Sequence, residues 1–309
     1  MADLFPVEVL HQVSEAVPRE CYGNMIIVGS LAAAYQLLAP DAPISVRTKD
    51  IDCILSPRIQ AIEAAKAVAE ELLAHGWEQD RSMFKGKPGS AMTPTDQLPV
   101  IRLFPPGYSD WFIELLTVPD SEHQRGWDLQ RVQISSGPDP GYYGLPSFRF
   151  LSLAAYLPAR TPFGFSCARP EMMALANMLE HPVIKPERMT GLIEGRSIKR
   201  SNKDLGRVLA IARLSADEVK QTWAEKWLDG LTHCFPTEWR ELAGSAGSGL
   251  AQLLHSPEDL EEAYHSCIWG LLSSHRRRGE LLKELTIAGE RLLADAVRPL
   301  LTRAKGIPA

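Results

Sequence analysis

The sequence lacks several features that mark whole classes of protein. No apolar run approaches the ~20 residues that a membrane-spanning helix needs. The Met1-Ala2-Asp3 start has neither the basic nor the apolar segment of a secretory signal. The five cysteines are odd in number and form no Cys-x-x-Cys pair, which argues against a disulfide framework and a thiolate metal site. We therefore expect no membrane segment and a cytoplasmic location.

Motifs for several common chemistries are also missing. The sequence contains no Gly-x-x-x-x-Gly-Lys-Ser/Thr phosphate loop, no Gly-x-Ser-x-Gly nucleophile elbow and no dinucleotide fingerprint. His233-Cys234 and His265-x-Cys267 lack the spacing of a zinc knuckle, so packing in a helical core is the simpler interpretation. A formal net charge of −5 argues against indiscriminate nucleic-acid binding, although it leaves room for a local basic groove.

The composition is that of an ordinary globular chain with one or two domains. Its 309 residues are 45% hydrophobic and 23% charged, which is enough to build a real core. In the first half we predict a mixed sheet of about five strands, after an amphipathic helix over Leu4–Val17 and with a crossover helix over Ile59–His75. The predicted strands are Asn24–Val28, a strand opening at Asp50, Val100–Phe104, Trp111–Thr117 and Arg131–Ser135.

Beyond about residue 160 the hydrophobic spacing becomes helical. The stretch from Asp139 to Pro146 is rich in Gly and Pro and predicts a transition, and Ala243–Gly249 predicts a turn or hinge. The predicted helices are Pro170–Met178, Asn202–Leu214, Asp217–Leu231, Pro257–Ser273 and Gly279–Thr302. The expected fold class is thus α/β (α+β), with a mixed-sheet domain over residues 1–160 followed by a helical domain over residues 161–309.

One stretch combines two features of a phosphate and metal site. A buried strand ends at Val28, and Gly29-Ser30 turns the chain into a helix that is rich in small residues. Helix N-termini present unpaired N–H groups and the positive end of the dipole, which suits a phosphate. Asp50 and Asp52 then lie on one face of the next strand, roughly 6.5–7 Å apart. Two divalent cations about 3.5–4 Å apart fit between such carboxylates.

Each of these residues also has a simpler interpretation. Ser30 could act only as a helix N-cap, and Asp50 and Asp52 could be turn residues at a strand start. Arg47 fits a solvated charge as well as a substrate contact. The basic loop Arg81–Ser90 fits a solvated loop or a flap over phosphates.

Glu114 is a single carboxylate in the otherwise apolar strand Trp111–Thr117. Burying an unpaired charge costs several kcal/mol, so this side chain must become neutral, find a cation or face a cleft. Asp110 has the same strand parity and is the second choice for a functional carboxylate, although an Asp before a strand is commonly a turn residue.

Gly-Ser before a small-residue helix, followed by Arg-Thr-x-Asp-Ile-Asp, resembles the signature of the nucleotidyltransferase superfamily, which has the DNA polymerase beta-like fold. The chain most resembles the abortive-infection nucleotidyltransferase toxins and their uncharacterised relatives. The resemblance implies that Gly29 and Ser30 hold a nucleoside triphosphate and that Asp50 and Asp52 bind two Mg²⁺ ions. It also implies a third metal ligand from a later strand, and Glu114 stands there in place of the more usual Asp.

A basic cluster lies between residues 185 and 207, where only three acidic residues interrupt seven cationic ones. It fits a solvated loop and helix face, or a groove for a triphosphate or a nucleic-acid backbone. Lys203-Asp204 resembles a Lys-Asp pair of the toxin family, which implies that Lys203 meets the triphosphate. Asn177 stands where relatives often carry a lysine. The cluster comprises Lys185, Arg188, Arg196, Lys199, Arg200, Lys203 and Arg207.

The predicted function is a metal-dependent nucleotidyltransferase that moves a nucleoside monophosphate from a nucleoside triphosphate to an acceptor. RNA, such as a tRNA end, a protein side chain and a small molecule all stay open as the acceptor. The resemblance adds a toxin-like role and an antitoxin protein as a partner. The alternative is a degenerate protein of the same fold that binds a nucleotide or a partner without catalysis.

Overall fold

The structure is a computed structural model that describes residues 2–38, 44–80, 87–274 and 278–306. Its contacts divide the chain into two compact units. Unit 1 comprises Met1–Ala32 and Thr48–Ala168, and unit 2 comprises Ala33–Arg47 and Arg169–Ala309. Residues 81–86 of the predicted basic loop lie outside the described residues. Within the described ranges, no helix is both long and apolar enough to cross a bilayer.

The part of the chain up to residue 168 alternates short strands with a few helices. Two 3-10 turns, Arg19–Asn24 and Thr95–Gln97, add to these. In chain order the elements are β1 (Ala2–Leu4), α1 (Pro6–Ala16), β2 (Met25–Val28), α2 (Ser30–Leu37), β3 (Val46–Thr48), β4 (Asp50–Leu55), α3 (Arg58–Ala74), β5 (Glu78–Gln79), β6 (Arg102–Phe104), β7 (Phe112–Thr117), β8 (Trp127–Ile134), β9 (Gly141–Phe148), α4 (Leu151–Ala154), β10 (Ala159–Arg160) and β11 (Ser166–Cys167).

Among the described residues of unit 1, nine strands form one mixed sheet. The order is β10-β11-β2-β4-β7-β6-β5, and β9 pairs with β7 and β8. The prediction of about five strands was therefore wrong. The largest difference is β9, where the Gly and Pro content had predicted a transition. Gly144 leaves room for β8, because a Cβ added at this position would come within 2.8 Å of the Leu129 side chain. Pairing with β8 along the whole strand outweighs the turn propensity of its residues.

Strand β4 places its aspartates at the open end of one sheet face. Ile51, Cys53 and Leu55 are fully buried, and side chains alternate along a strand, so Asp50 and Asp52 point to the opposite face. Both aspartates are half-buried, whereas Ile54 further along the same face is fully buried. This face is thus accessible only near the start of the strand. Helix α3 packs on β4, β6, β7 and β8.

Unit 2 is helical beyond residue 168, with α6 packed against four other helices, α5, α10, α11 and α12. Gly206 lets α11 approach α6 closely, because an added Cβ would lie 2.7 Å from the Ala263 carbonyl oxygen. The helices are α5 (Pro170–Glu180), α6 (Arg200–Leu214), α7 (Asp217–Gln221), α8 (Trp223–Cys234), α9 (Trp239–Ser245), α10 (Ser248–His255), α11 (Pro257–Ile268), α12 (Arg278–Leu292) and α13 (Arg298–Ala304), with a π-helical turn at Leu293–Val297.

One predicted element of this half is wrong. The helix predicted over Asp217–Leu231 is broken after α7, where the buried Lys220 ammonium turns back to the carbonyl oxygens of Ala212 and Ser215 at the end of α6. The turn or hinge predicted over Ala243–Gly249 is confirmed, because α9 ends at Ser245, Gly247 has a φ of +81° and α10 begins at Ser248. The structure confirms the coarse prediction of a mixed sheet together with many helices.

Candidate functional site

The strand register brings three sequence-predicted carboxylates onto one face of the sheet. Asp52 pairs with Val28 on one side and with Glu114 on the other, and Glu114 pairs in turn with Arg102. Residues paired in this way share a face, with neighbouring strands about 4.8 Å apart. Asp50 lies two residues before Asp52 on the same face. We call Asp50, Asp52 and Glu114 the carboxylate row.

Gly29 lies against the carboxylate row. It joins β2 to α2 with a φ of +85°, a conformation that favours glycine. A Cβ added there would come within 3.0 Å of Asp52 Oδ2, so a side chain would press on the carboxylate. Ser30 is the first residue of α2 and is partly exposed. The turn at Gly29 therefore lies beside the Asp52 carboxylate.

Thr48 orients the first aspartate. Its hydroxyl lies 3.0 Å from Asp50 Oδ1 and 3.0 Å from the Asp50 carbonyl oxygen, and the Thr48 side chain is buried. A buried hydroxyl needs such a partner, since losing it leaves a polar group unsatisfied. Thr48, two residues before Asp50, thus holds the Asp50 carboxylate in one orientation.

Of the three environments predicted for Glu114, the structure has a cation beside the carboxylate. Arg102 Nε on β6 donates a hydrogen bond to Glu114 Oε2, and only 12% of the Glu114 side chain is exposed. The Arg102 guanidinium also stacks over the Phe112 ring, 5.1 Å from its centroid. Lys49 Nζ lies 5.8 Å from the same centroid. Asp110, the second choice, is exposed and lies before the start of β7.

Sequence analysis missed Arg102, because one charged residue in a three-residue strand forms no recognisable motif. Leu103 beside it is fully buried, so Arg102 faces the opposite side of the sheet. The sequence alone could predict this alternation of faces. The pairing of Arg102 with Glu114 depends on the antiparallel register of β6 and β7, which no local pattern reveals.

The donor set of the carboxylate row fits Mg²⁺, which prefers carboxylate oxygens. Asp50 and Asp52 would be the ligands at hand, and Glu114 could join them when its carboxylate is shared with, or released by, Arg102. A carboxylate offers about four acceptor positions, so one hydrogen bond does not exhaust it. No preformed group of three or more acidic, His or Cys side chains with metal-site geometry occurs among the residues that the structure describes.

No family model matches this chain, and no curated protein is similar to it. The resemblance to nucleotidyltransferases therefore stays a prediction that depends on residues 28–35 and 47–55.

The Lys-Asp pair of unit 2 separates into two different environments. Asp204 Oδ2 lies 2.7 Å from Nε2 of the buried His181. Burial raises the pKa of Asp204. The hydrogen bond from His181 and the charges of Arg207 and Lys203 together lower this pKa by more than burial raises it, so the net shift is downward. Asp204 thus ties the end of α5 to α6. Lys203 is partly exposed in the first turns of α6, where no ion pair within 4 Å joins it to a described residue.

Three members of the basic cluster pair with acidic residues of α11. Arg188 lies 3.1 Å from Glu262, Arg196 lies 3.4 Å from Glu261 and Lys199 lies 2.7 Å from Asp259. The buried Asn202 donates to Asp259 and Glu262 as well. Burial raises the pKa of Asp259, but the hydrogen bonds from Lys199, Asn202 and Ser256 lower it to a greater extent.

Much of the cluster is therefore a link between the 188–199 segment and α11. Four cations of the cluster make no ion pair with a described residue: Lys185, Arg200, Lys203 and Arg207. Asn177, the position where a lysine had been expected by resemblance, donates to the Met173 carbonyl oxygen in its own helix, at 2.8 Å. Any polyanion contact would fall to those four side chains.

Proposed function

We propose that this chain is a metal-dependent nucleotidyltransferase that moves a nucleoside monophosphate from a nucleoside triphosphate to an acceptor. The observation that carries the proposal is the position of Gly29 against Asp52, in register with Glu114 and with Asp50 on the same face. A phosphate bound at this turn would lie beside several carboxylates, which would repel it unless cations neutralised them.

The residues of the chain would divide the work as follows. Backbone N–H groups at the start of α2 bind the triphosphate, since Gly29 and Ser30 leave no bulky side chain between. Thr48 holds Asp50, and Asp50 and Asp52 would hold two Mg²⁺ ions, with Glu114 as the third ligand. When bound, the metals would neutralise charge and acidify the acceptor hydroxyl. The acceptor hydroxyl would lose its proton to water and its oxygen would form a bond to the α-phosphorus, while the bond from the α-phosphorus to the bridging oxygen breaks and pyrophosphate leaves.

The acceptor and the biological role belong to the same proposal. RNA or a tRNA end, a protein side chain and a small molecule remain the candidates, with a toxin-like role and an antitoxin protein as a partner by resemblance. The scattered cysteines favour a reducing compartment, and we therefore propose a cytoplasmic location. RNA binding through Lys185, Arg200, Lys203 and Arg207 would weaken steeply with salt, since phosphate contacts release counterions. A small-molecule acceptor would show little such dependence.

One observation favours a second function, nucleotide binding without catalysis. Arg102 already neutralises Glu114, the carboxylate on which the third ligand position depends. A protein that kept the phosphate turn but lost the third ligand would bind a nucleotide and transfer nothing.

Titration calorimetry with each nucleoside triphosphate tests the binding site. We expect binding with Mg²⁺ and none with a chelator, and the double variant Asp50→Asn/Asp52→Asn should lose metal-dependent binding while it stays folded. Asp110→Asn is the matched control, since this carboxylate is exposed and lies outside the carboxylate row. Equal affinity for the nucleoside triphosphate with and without chelator would rule out a metal-bridged site.

Transfer is tested separately, with an α-labelled nucleotide and with bulk tRNA, the protein itself and small hydroxyl or amine compounds as acceptors. Glu114→Gln should stop transfer and keep most of the triphosphate affinity, because Gly29, Ser30 and the aspartates hold the phosphates. Transfer at the parental rate by Glu114→Gln would contradict a three-carboxylate site. Metal-dependent binding by the parental protein without transfer to any acceptor would favour the second function.

A further inference from the structure

The pairing of Arg102 with Glu114 has a consequence for metal binding. Both side chains are largely buried, with exposed fractions of 22% for Arg102 and 12% for Glu114. A charge-assisted hydrogen bond in such a place is stronger than one in water. A divalent cation that takes Glu114 as a ligand must therefore compete with a resident guanidinium for the same carboxylate.

Arg102 has a second anchor that does not depend on Glu114. Its guanidinium lies 5.1 Å from the centroid of the Phe112 ring, and the face of an aromatic ring attracts a cation. Phe112 pairs with Asp50 in the register of β4 and β7. If Glu114 is taken by a metal, stacking on Phe112 keeps the guanidinium beside the carboxylate row, where it can bind a phosphate group.

We propose that Arg102 is the resident counter-ion of Glu114 and that it exchanges this carboxylate for a phosphate group of the nucleotide when a divalent cation binds. The inference depends on the proposed metal site. Arg102 is then a nucleotide-binding residue that lowers the affinity for the metal alone and raises the affinity for the nucleotide once the metal is present. The two ligands become coupled through one side chain, since each favours the state in which Arg102 has left Glu114.

The exchange predicts opposite effects of one substitution on two ligands. Arg102→Met removes the competing charge and keeps an apolar contact with Phe112. It should tighten the binding of Mn²⁺ alone by about tenfold, within the range typical of coupling between linked sites. At saturating Mn²⁺ it should weaken nucleoside triphosphate binding by a similar factor. If Arg102 had only a structural role, its substitution would not change the two affinities in opposite directions.

The matched control is Arg131→Met. Arg131 is also in unit 1 and also stacks on an aromatic ring, with its guanidinium 5.5 Å from the Tyr142 centroid. Its hydrogen bonds go to the carbonyl oxygens of Ala91 and Thr93 and not to a carboxylate. This variant should leave both affinities unchanged.

Mn²⁺ binding is measured by electron paramagnetic resonance of the free ion, and triphosphate binding by calorimetry with Mn²⁺ in excess. The gain in Mn²⁺ affinity should disappear in the double variant Arg102→Met/Glu114→Gln, because it depends on the released carboxylate. Arg102→Gln, which keeps a hydrogen bond without a charge, replaces Arg102→Met if thermal melting shows that the latter does not fold.

The outcomes separate this inference from the proposed function. If the parental protein binds Mn²⁺ and Arg102→Met binds it no more tightly, the exchange is wrong while the metal site stands. If neither protein binds Mn²⁺, the metal site and the exchange both fall. A gain that survives Glu114→Gln would also overturn the exchange, since some other carboxylate would then be its source.

Discussion

Replacing Gly29 by alanine tests the close approach of the turn to the carboxylate row. Gly29 has a φ of +85°, where an L-residue loses about 1 to 2 kcal/mol of stability. The added Cβ would also lie 3.0 Å from Asp52 Oδ2, so either the carboxylate or the turn must shift. Overpacking of this kind costs about 1 to 3 kcal/mol more. The total expected loss is thus about 2 to 5 kcal/mol.

The same unit offers a control for the backbone part of this loss. Gly107 has a φ of +76°, and an added Cβ there would meet no atom within 4 Å. Gly107→Ala should therefore show only the loss of about 1 to 2 kcal/mol that comes from the backbone. The difference between the two variants isolates the contact with Asp52. Removing that side chain, in Gly29→Ala/Asp52→Ala, should recover most of the difference.

The measurement is urea unfolding together with hydrogen exchange of the β2 and β4 amides. Exchange assigns the transition to unit 1, which matters because a chain of two units need not unfold in one step. If Gly29→Ala is no more destabilising than Gly107→Ala, or if the Asp52→Ala background does not relieve it, the turn does not press on the carboxylate. The argument for a phosphate site beside Asp52 would then lose its geometric basis.

Two further properties of the chain can be tested directly. The folded-state pKa values of Asp204 and Asp259 are lowered, so both carboxylates add stability that is full above about pH 4 and is lost as pH falls below it. Thermal melting from pH 7 to pH 3 should show this loss, and Asp259→Asn should flatten the acid limb; an unchanged slope would contradict it. Alkylation of the native protein should label Cys234 first, since it is the one half-buried thiol, while burial raises the pKa of three others to about 12. Rapid labelling of Cys53, Cys167 or Cys267 in the native protein would contradict their burial.

Local sequence patterns were sufficient for the elements that carry the candidate site. A short apolar run before Gly29 and small residues after Ser30 predicted a strand, a turn and a helix, and the structure has β2, a left-handed Gly29 and α2. The alternation around Asp50 and Asp52 predicted a strand with both aspartates on one face, and β4 has this form. These features depend on residues within one turn or one strand, so propensity and periodicity determine them.

Sequence patterns failed where distant segments compete for one chain. The Gly and Pro content of Asp139–Pro146 predicted a transition, but pairing with β8 makes Gly141–Phe148 a strand. The basic residues at 185–207 fitted either a solvated face or a polyanion groove. Partners on α11, between 60 and 74 residues later in the chain, turn three of them into structural ion pairs. Neither partner can be identified from the segment itself.

The composition of the site shows the same division. The sequence by itself determined that Glu114 must become neutral, find a cation or face a cleft, because an unpaired charge in an apolar strand is costly. Only the register of β6 against β7 decided that this cation is Arg102, and only the end of α5 decided that Asp204 is bound to His181. Register and helix packing depend on the burial of whole faces at once, so they arise from the assembled core rather than from any local stretch.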